Sequence, residues 1–342
     1  MDEETEFKII LEMEKIFKSF ESESNYHLMI YKVYYIMKKI RLVEERIALE
    51  YPKNEIRCPT HLSIGQEAVP SALSLFLKKK DLVVSTHRGH AHYLSKGGCL
   101  KKMIAELYGK STGCSGGKGG SMHLIDKEVG FMGTSAIVGN SIPVGVGLGM
   151  SIKLKKEPFL ACVYLGDGAI EEGSFYESLN FSVLKNLPVL FICENNLYSV
   201  YSPLSKRQPK GRKIEFLAKA IGANTAKGDG NNVFEAIDLL KNIIKEIRTS
   251  DKKTWFVEFN TYRWREHCGY QFDNNIGYRT EKEFEEWKSK DPIKLIENYS
   301  KKFIDIKKIK TLINLEIDEA FEKAKEAPFP SPEEAFSPIY AK

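Results

Sequence analysis

The period of the apolar positions changes along the chain and divides it into elements. From Asn25 to Glu50, residues Met29, Val33, Ile36, Met37, Ile40, Val43 and Ile47 recur every three or four positions, the spacing that lines one face of a helix. Asn232 to Arg248 repeats the pattern, as do the charged segments from Thr280 onward, and Phe7 to Phe20 predicts a further helix laid on the surface or on a partner. Three other runs, Ala161 to Leu165, Val189 to Cys193 and Trp255 to Thr261, are rich in β-branched and aromatic residues and read as strands. Between the first two, Phe175, Leu179 and Val183 keep helical spacing, so Phe159 to Tyr198 is a strand, helix, strand unit. Such a crossover joins parallel strands. The expected fold is therefore α/β, a doubly wound and mostly parallel sheet flanked by helices. We divide the chain into a helical extension (1–27), the α/β domain (28–280), and C-terminal helices ending in the proline-rich arm APFPSPEEAF (281–342).

Parallel strands open their carboxyl ends on one edge of the sheet, where doubly wound folds bind ligands. The first strand of the unit ends in Gly166, Asp167 and Gly168, and the second in Glu194, Asn195 and Asn196. Asp167 thus offers a carboxylate beside the amide oxygen of Asn196, and the carbonyl of Tyr198 adds a third oxygen. Magnesium binds such oxygens and shares its remaining positions between water and phosphate groups, so the pattern asks for a diphosphate. Gly166 and Gly168 let the backbone turn and approach that ligand.

Composition removes several function classes. With 342 residues, 42% hydrophobic and 28% charged, the chain can bury a full core. A net charge of +5 with no concentrated basic face argues against nucleic acid, and no apolar run approaches the roughly 18 residues a membrane span needs. The six cysteines contain no CxxC pair, and Cys162 and Cys193 fall inside apolar strands. They predict packed thiols in a reducing cytoplasm rather than disulfides or a zinc site. The acidic first 25 residues are the reverse of a basic signal or transit peptide.

Other polar segments are candidates for the same edge. His61 lies in a loop before a helix expected near Gly65. His87, Arg88, His90 and His92 crowd six positions, which calls for a polar cavity or an anion, and Arg88 suits a phosphate oxygen. As a zinc cluster, HxxHxH lacks a further Cys or carboxylate pattern. The segment Gly113 to His123 has five glycines in its first eight residues and carries Lys118, which could face a phosphate or sit in a plain linker. Gly145, Gly147 and Gly149 precede a strand instead of following one, so they read as close helix packing, not a dinucleotide fingerprint. The loop after Thr261 holds Arg263, Arg265, Glu266 and His267 and is a candidate catalytic segment.

GDG, 26 residues, then NN resembles the diphosphate-binding motif of thiamine diphosphate enzymes. HLSIGQEA, STHRGHAHYLSKGG, GKGGSMH, AIVGNSIP, GDGAIEEG, ENNLY, TYRWREH and YRT with DPI, in this order, resemble the alpha subunit of the E1 component of 2-oxo acid dehydrogenase complexes, of the pyruvate and acetoin types. The resemblance covers about residues 28 to 340. It implies thiamine diphosphate and Mg2+ as cofactors, with Asp167, Asn196 and Tyr198 as metal ligands and Gly168 and Ala169 beside the diphosphate. It also places His87 and Arg88 at the phosphates, Ala136 and Val138 at the aminopyrimidine ring, and His61 and His267 in the active site. It implies decarboxylation of a 2-oxo acid, or cleavage of acetoin, with transfer of the acyl fragment to a lipoyl acceptor.

Family members take the glutamate that activates the pyrimidine from a second domain, for which this chain is too short. An E1 beta subunit in an α2β2 assembly is the expected partner, with a lipoyl-bearing E2 acyltransferase as acceptor. Four positions depart from the family. His87 stands where pyruvate enzymes have Tyr, and HRGH looks more like the acetoin branch. Arg265 and Glu266 replace the usual His and Gly, which leaves open a carboligase or aldehyde transferase without lipoyl transfer. Cys268 replaces the phosphorylatable serine, and with no Ser or Thr from Cys268 to Arg279 no kinase switch is expected in this loop.

Overall fold

The structure, a computed structural model, describes residues 25–251 and 253–336. The helix expected over Phe7 to Phe20 lies outside them. The Asn25–Glu50 helix forms as its stripe predicts, with Val33, Met37, Ile40, Val43 and Ile47 buried. The strands in chain order are β1 (Leu82–Thr86), β2 (Phe131–Ser135), β3 (Ala161–Gly166), β4 (Val189–Asn195), a short hairpin of β5 (Tyr198–Ser199) and β6 (Ser202–Pro203), β7 (Asn224–Asp229) and β8 (Trp255–Asn260). Six of them form one sheet in the order β2-β1-β3-β4-β8-β7, and every pair in it is parallel.

Both faces of that sheet are covered, which is why its central strands are apolar without alternation. Cys162, Tyr164, Leu190 and Ile192 pack toward the Asn25–Glu50 and Val233–Thr249 helices. Their neighbours Ala161, Val163, Leu165, Val189 and Phe191 point the other way, toward the Ser141–Leu154 and Gly173–Leu184 helices. The glycines of the Ser141–Leu154 helix let it lie against the sheet: a Cβ on Gly145 would sit 2.2 Å from Val163 Cγ2, and one on Gly149 would sit 2.4 Å from Val189 Cγ2. Gly147 faces open space instead.

Two strands have no apolar run to announce them. β7 (NTAKGD) is an outer strand that is mostly half-exposed, and β2 (FMGTS) buries only Phe131. Each is formed by pairing with an already formed neighbour, not by its own pattern. The helices Glu281–Lys288, Pro292–Ser300 and Ile306–Glu326 join the core that covers the Asn25–Glu50 helix, through Phe284, Ile296, Ile313 and Phe321. The arm that follows crosses the surface: Ser111 N donates to Pro328 O at 3.0 Å, and Lys110 Nζ lies 3.9 Å from the Phe329 ring centre.

The order of the sheet locates the site. From β1 the chain moves to β2 on one side, and β3 lies on the other, so the carboxyl ends of β1 and β3 flank the point where the winding reverses. That is the crevice in which open α/β sheets bind ligands.

Candidate active site

Asp167 follows β3 and Asn196 follows β4, and the pairing of Gly166 with Glu194 sets the two ends side by side. Both side chains are buried. Asn196 donates from its amide nitrogen to Gln66 Oε1 at 3.2 Å, while its Oδ1 accepts from Tyr198 N at 3.3 Å. Gln66 in turn reaches Glu194, which meets His92 at 3.1 Å, and His92 meets Ser85 Oγ at 2.6 Å. This buried chain fixes which way the Asn196 amide faces, because its nitrogen is already committed to Gln66. The turn beyond Asn196 is strained: Leu197 and Val200, neither of them glycine, have φ of 74° and 54°, a conformation that costs on the order of 1–3 kcal/mol at each residue and is characteristic of functional turns. The Tyr198 hydroxyl donates to Glu283 at 2.8 Å, so any ligand role falls to its carbonyl.

The Asp167 carboxylate makes an ion pair with Arg207, whose guanidinium also meets Glu171 Oε1 at 2.7 Å and Ser202 O at 3.1 Å. Burial raises the Asp167 carboxyl above the ordinary aspartate range, and the Arg207 charge opposes that rise. A positive charge is thus what this carboxylate requires.

The histidines arrive from three loops. Glu44 on the Asn25–Glu50 helix accepts from Ser63 N at 3.0 Å and pairs with His90 at 2.8 Å, while Arg41 grips Glu67 through Nε at 2.5 Å and Nη2 at 3.0 Å. These bonds fix the loop carrying His61. Gly65 in that loop has φ +101°, and a Cβ there would lie 2.4 Å from Tyr262 O. Backbone bonds from Trp264 N to Ile64 O at 2.9 Å and Gly269 N to Thr60 O at 2.8 Å then lay the loop bearing His267 alongside. Arg88 joins the two, donating to Leu62 O at 2.6 Å and to His267 O at 3.0 Å and Nδ1 at 3.3 Å.

The rings of His61 and His87 come within 4.5 Å centre to centre, His61 and His267 within 4.9 Å, and His87 and His267 within 5.3 Å. Burial first, and then the Arg88 charge, lower all three. His87 falls to about 4 and His267 to about 2, and His61 lies far below the usual imidazole range. Burial likewise lowers Arg88 to about 9. The three imidazoles are therefore neutral at pH 7. Since Arg88 can only donate, His267 Nδ1 carries the lone pair and Nε2 the proton.

One cleft is lined by His87, Arg88, Val138, Asp167, Gly168, Ala169, Asn196, Tyr198 and His267, together with Gln66, His92 and Glu194. His61 stands behind His87 and His267, and Ala136 precedes the wall residues Ile137 and Val138 without itself lining the cleft. Sequence reasoning does not single out Gln66, Glu194 or Arg207. Glu194 sits in the ENNLY motif and Gln66 in HLSIGQEA, so proximity to motif residues is the signal that could find them. Arg207 has none. His90 and His92 are not metal partners of His87; they are paired with Glu44 and Glu194.

Lys118, read as facing a phosphate or sitting in a plain linker, does not line the cleft. The glycine loop closes on a carboxylate of the chain itself: Glu106 accepts backbone N–H bonds from Ser115 at 2.7 Å, Gly117 at 2.9 Å, Gly119 at 2.7 Å and Gly120 at 3.1 Å. Lys118 Nζ reaches Glu334 O at 2.6 Å. The cavity of about 540 Å³ beside this loop holds none of the residues named for the cleft. The loop is an anion cradle whose anion is internal. In the 261–267 segment Arg263 is buried and donates to Val200 O and Tyr278 Oη, both at 2.8 Å, while Arg265 donates to Tyr270 O at 2.9 Å. Of the four polar residues picked out there, His267 alone lines the cleft.

The cleft fits a hard cation with a phosphate-bearing ligand. Asp167 presents a buried carboxylate whose counter-charge here is Arg207, Glu194 Oε1 and His61 Nδ1 are buried with no hydrogen-bond partner, and nothing lies within 4 Å of where a Cβ on Gly166 would be. Fold and site together define a doubly wound domain with a polar cleft at the carboxyl edge of its sheet. The chain belongs to the dehydrogenase E1 component family, whose model matches residues 35–333. It is 35% identical over 309 residues to the pyruvate dehydrogenase E1 component subunit alpha of Rickettsia bellii, covering 89% of this chain and 93% of that one. It is 32% identical over 335 residues to the mitochondrial alpha-1 subunit of Arabidopsis thaliana, covering 95% and 82%, and 33% identical over 313 residues to the mitochondrial subunit of Solanum tuberosum, covering 90% and 78%.

Proposed function

We propose that the chain is the alpha subunit of a thiamine diphosphate-dependent E1 enzyme, which decarboxylates a 2-oxo acid and passes the acyl fragment to a lipoyl acceptor. The names of its relatives point to pyruvate, and they favour acyl transfer over carboligation. The observation that carries this reading is the pair of adjacent strand ends that sets buried Asp167 beside Asn196 in one cleft with Arg88 and His267.

Asp167, Asn196 and the Tyr198 carbonyl would hold Mg2+, the backbone of Gly168 and Ala169 would meet the diphosphate, and Arg88 and His87 would face its oxygens. Ala136 and Val138 would border the aminopyrimidine. When bound, thiamine diphosphate supplies a carbon nucleophile and the electron sink for decarboxylation. His267, whose Nε2–H is left free by the Arg88 bond to Nδ1, donates to the substrate oxygen as negative charge develops there. His61, neutral and with Nδ1 lacking a partner, contacts the carboxylate or carbonyl of the substrate.

An E1 beta subunit in an α2β2 assembly would complete the site, and exposed Ile137 and Val138 at the cleft offer it an apolar rim. A lipoyl-bearing E2 is the acceptor. No helix among the described residues is long and apolar enough to cross a membrane, and six unpaired thiols suit a reducing compartment such as the cytoplasm.

Calorimetry on the chain co-purified with its beta subunit tests the assignment. Thiamine diphosphate should bind with Mg2+ and not with a chelator, and Asp167→Asn should weaken it by at least about 100-fold, the loss expected when a charged metal ligand goes. Unchanged affinity in a variant that melts like the parent would sink the reading.

A further inference from the structure

The six-position cluster His87 to His92 does not assemble a metal site, but the fold does what that spacing could not. One ring nitrogen from each of His61, His87 and His267 lies within 4.8 Å of the others. We propose that these three imidazoles form a site for a borderline-soft divalent cation, Zn2+ in the first instance, separate from the oxygen corner at Asp167.

Three features support it. The ligands come from three loops that backbone bonds and Arg88 tie together, so the cluster is built before any ion arrives. A tetrahedral zinc with Zn–N bonds of about 2.0–2.1 Å wants its nitrogens about 3.4 Å apart, so the rings must turn to close the gap from the separations of up to 4.8 Å seen here. One of the nitrogens is also uncommitted: His61 Nδ1 is buried without a hydrogen-bond partner.

Arg88 is the opposing charge. Its Nη2 already contacts the His267 carbonyl oxygen at 3.0 Å as well as Nδ1 at 3.3 Å. For Nε2 of His267 to take the metal its proton must move to Nδ1, and Arg88 must then turn its Nη2–H from Nδ1 and keep the carbonyl alone. Three protein nitrogens leave the fourth position for water, hydroxide or a carboxylate. Imidazole favours zinc and carboxylate or amide oxygen favours magnesium, so the two corners of the cleft discriminate between ions. Resting on the function proposed above, zinc here would seize His61 and His267, which meet the 2-oxo acid, and His87, which faces the diphosphate, and so inhibit against both.

The test uses the full chain with excess Mg2+ and Zn2+ as the only probe, titrated against a coloured chelator. One equivalent should bind, X-ray absorption should show nitrogen at about 2.0–2.1 Å and no sulfur, and His61→Asn and His87→Asn should each weaken binding at least about tenfold. Asp167→Asn should leave it unchanged. No stoichiometric zinc, sulfur in the coordination sphere, or an affinity indifferent to the two histidine variants would overturn the proposal. The absorption spectrum of the unmodified chain decides even if a variant fails to fold. Failure of thiamine diphosphate to bind a chain that still takes zinc at these nitrogens would count against the function alone.

Discussion

Holding three histidines neutral in one site makes the stability of the chain depend on pH in a calculable way. In the unfolded chain each imidazole titrates near 6.5, whereas in the fold His87 titrates near 4, His267 near 2, and His61 far lower, chiefly through burial. Between the folded and unfolded values only the unfolded state takes up the proton, so stability must fall as pH falls below about 6.5 and be fully present above it. From pH 7.5 to 5.5 each such group contributes a loss of about 1.4 kcal/mol. All three would give about 4 kcal/mol, and about 3 after allowance for the partial solvent access of His87 and His267. Asp167, raised by burial, acts with the opposite sign at lower pH and is common to every variant compared.

The assay is urea unfolding of the full chain at both pH values, repeated for His61→Asn, His87→Asn and His267→Asn. Each substitution should shrink the pH-dependent difference by about 1–1.4 kcal/mol, whatever it does to stability at pH 7.5. Comparing differences in this way cancels the remaining histidines and carboxylates. If the three variants lose as much stability on acidification as the parent, the imidazoles are not held neutral and the electrostatic description of the cleft is wrong.

Three further substitutions test the helix-to-sheet packing and the glycine loop. Gly145→Ala gains helix propensity of about 1 kcal/mol but drives a methyl to 2.2 Å from Val163 Cγ2 and 2.9 Å from Val84 Cγ2, so a net loss of about 1–2 kcal/mol is expected; Gly147→Ala, with nothing within 4 Å, should be neutral or stabilising, and thermal melts that rank the two the other way would refute the helix-to-sheet argument. Glu106→Gln keeps one acceptor oxygen and turns an NH2 against two backbone donors, which should cost about 3–5 kcal/mol and raise hydrogen exchange at residues 115–120; unaltered exchange there would show that the glycine loop does not depend on its internal carboxylate.

The periodic segments are legible in the amino-acid sequence alone because each records which of its faces is buried. The run Ala161 to Leu165 and the helical spacing of Phe175, Leu179 and Val183 carry that record, and the residues that end each strand follow from it: Asp167 and Asn196 had to finish neighbouring parallel strands. β7 carries no such mark, because an outer strand buries too little to leave one in NTAKGD. Loops keep no periodic record at all. Arg207 on Asp167, Glu106 inside the glycine loop, and the meeting of His61, His87 and His267 depend on backbone pairings between segments far apart in the chain, such as Gly269 with Thr60. The acid and amide at the strand tips were therefore determined by local sequence. The charges and rings that surround them were decided only when the tertiary fold closed, because a loop side chain is positioned by its distant partners and not by its neighbours in sequence.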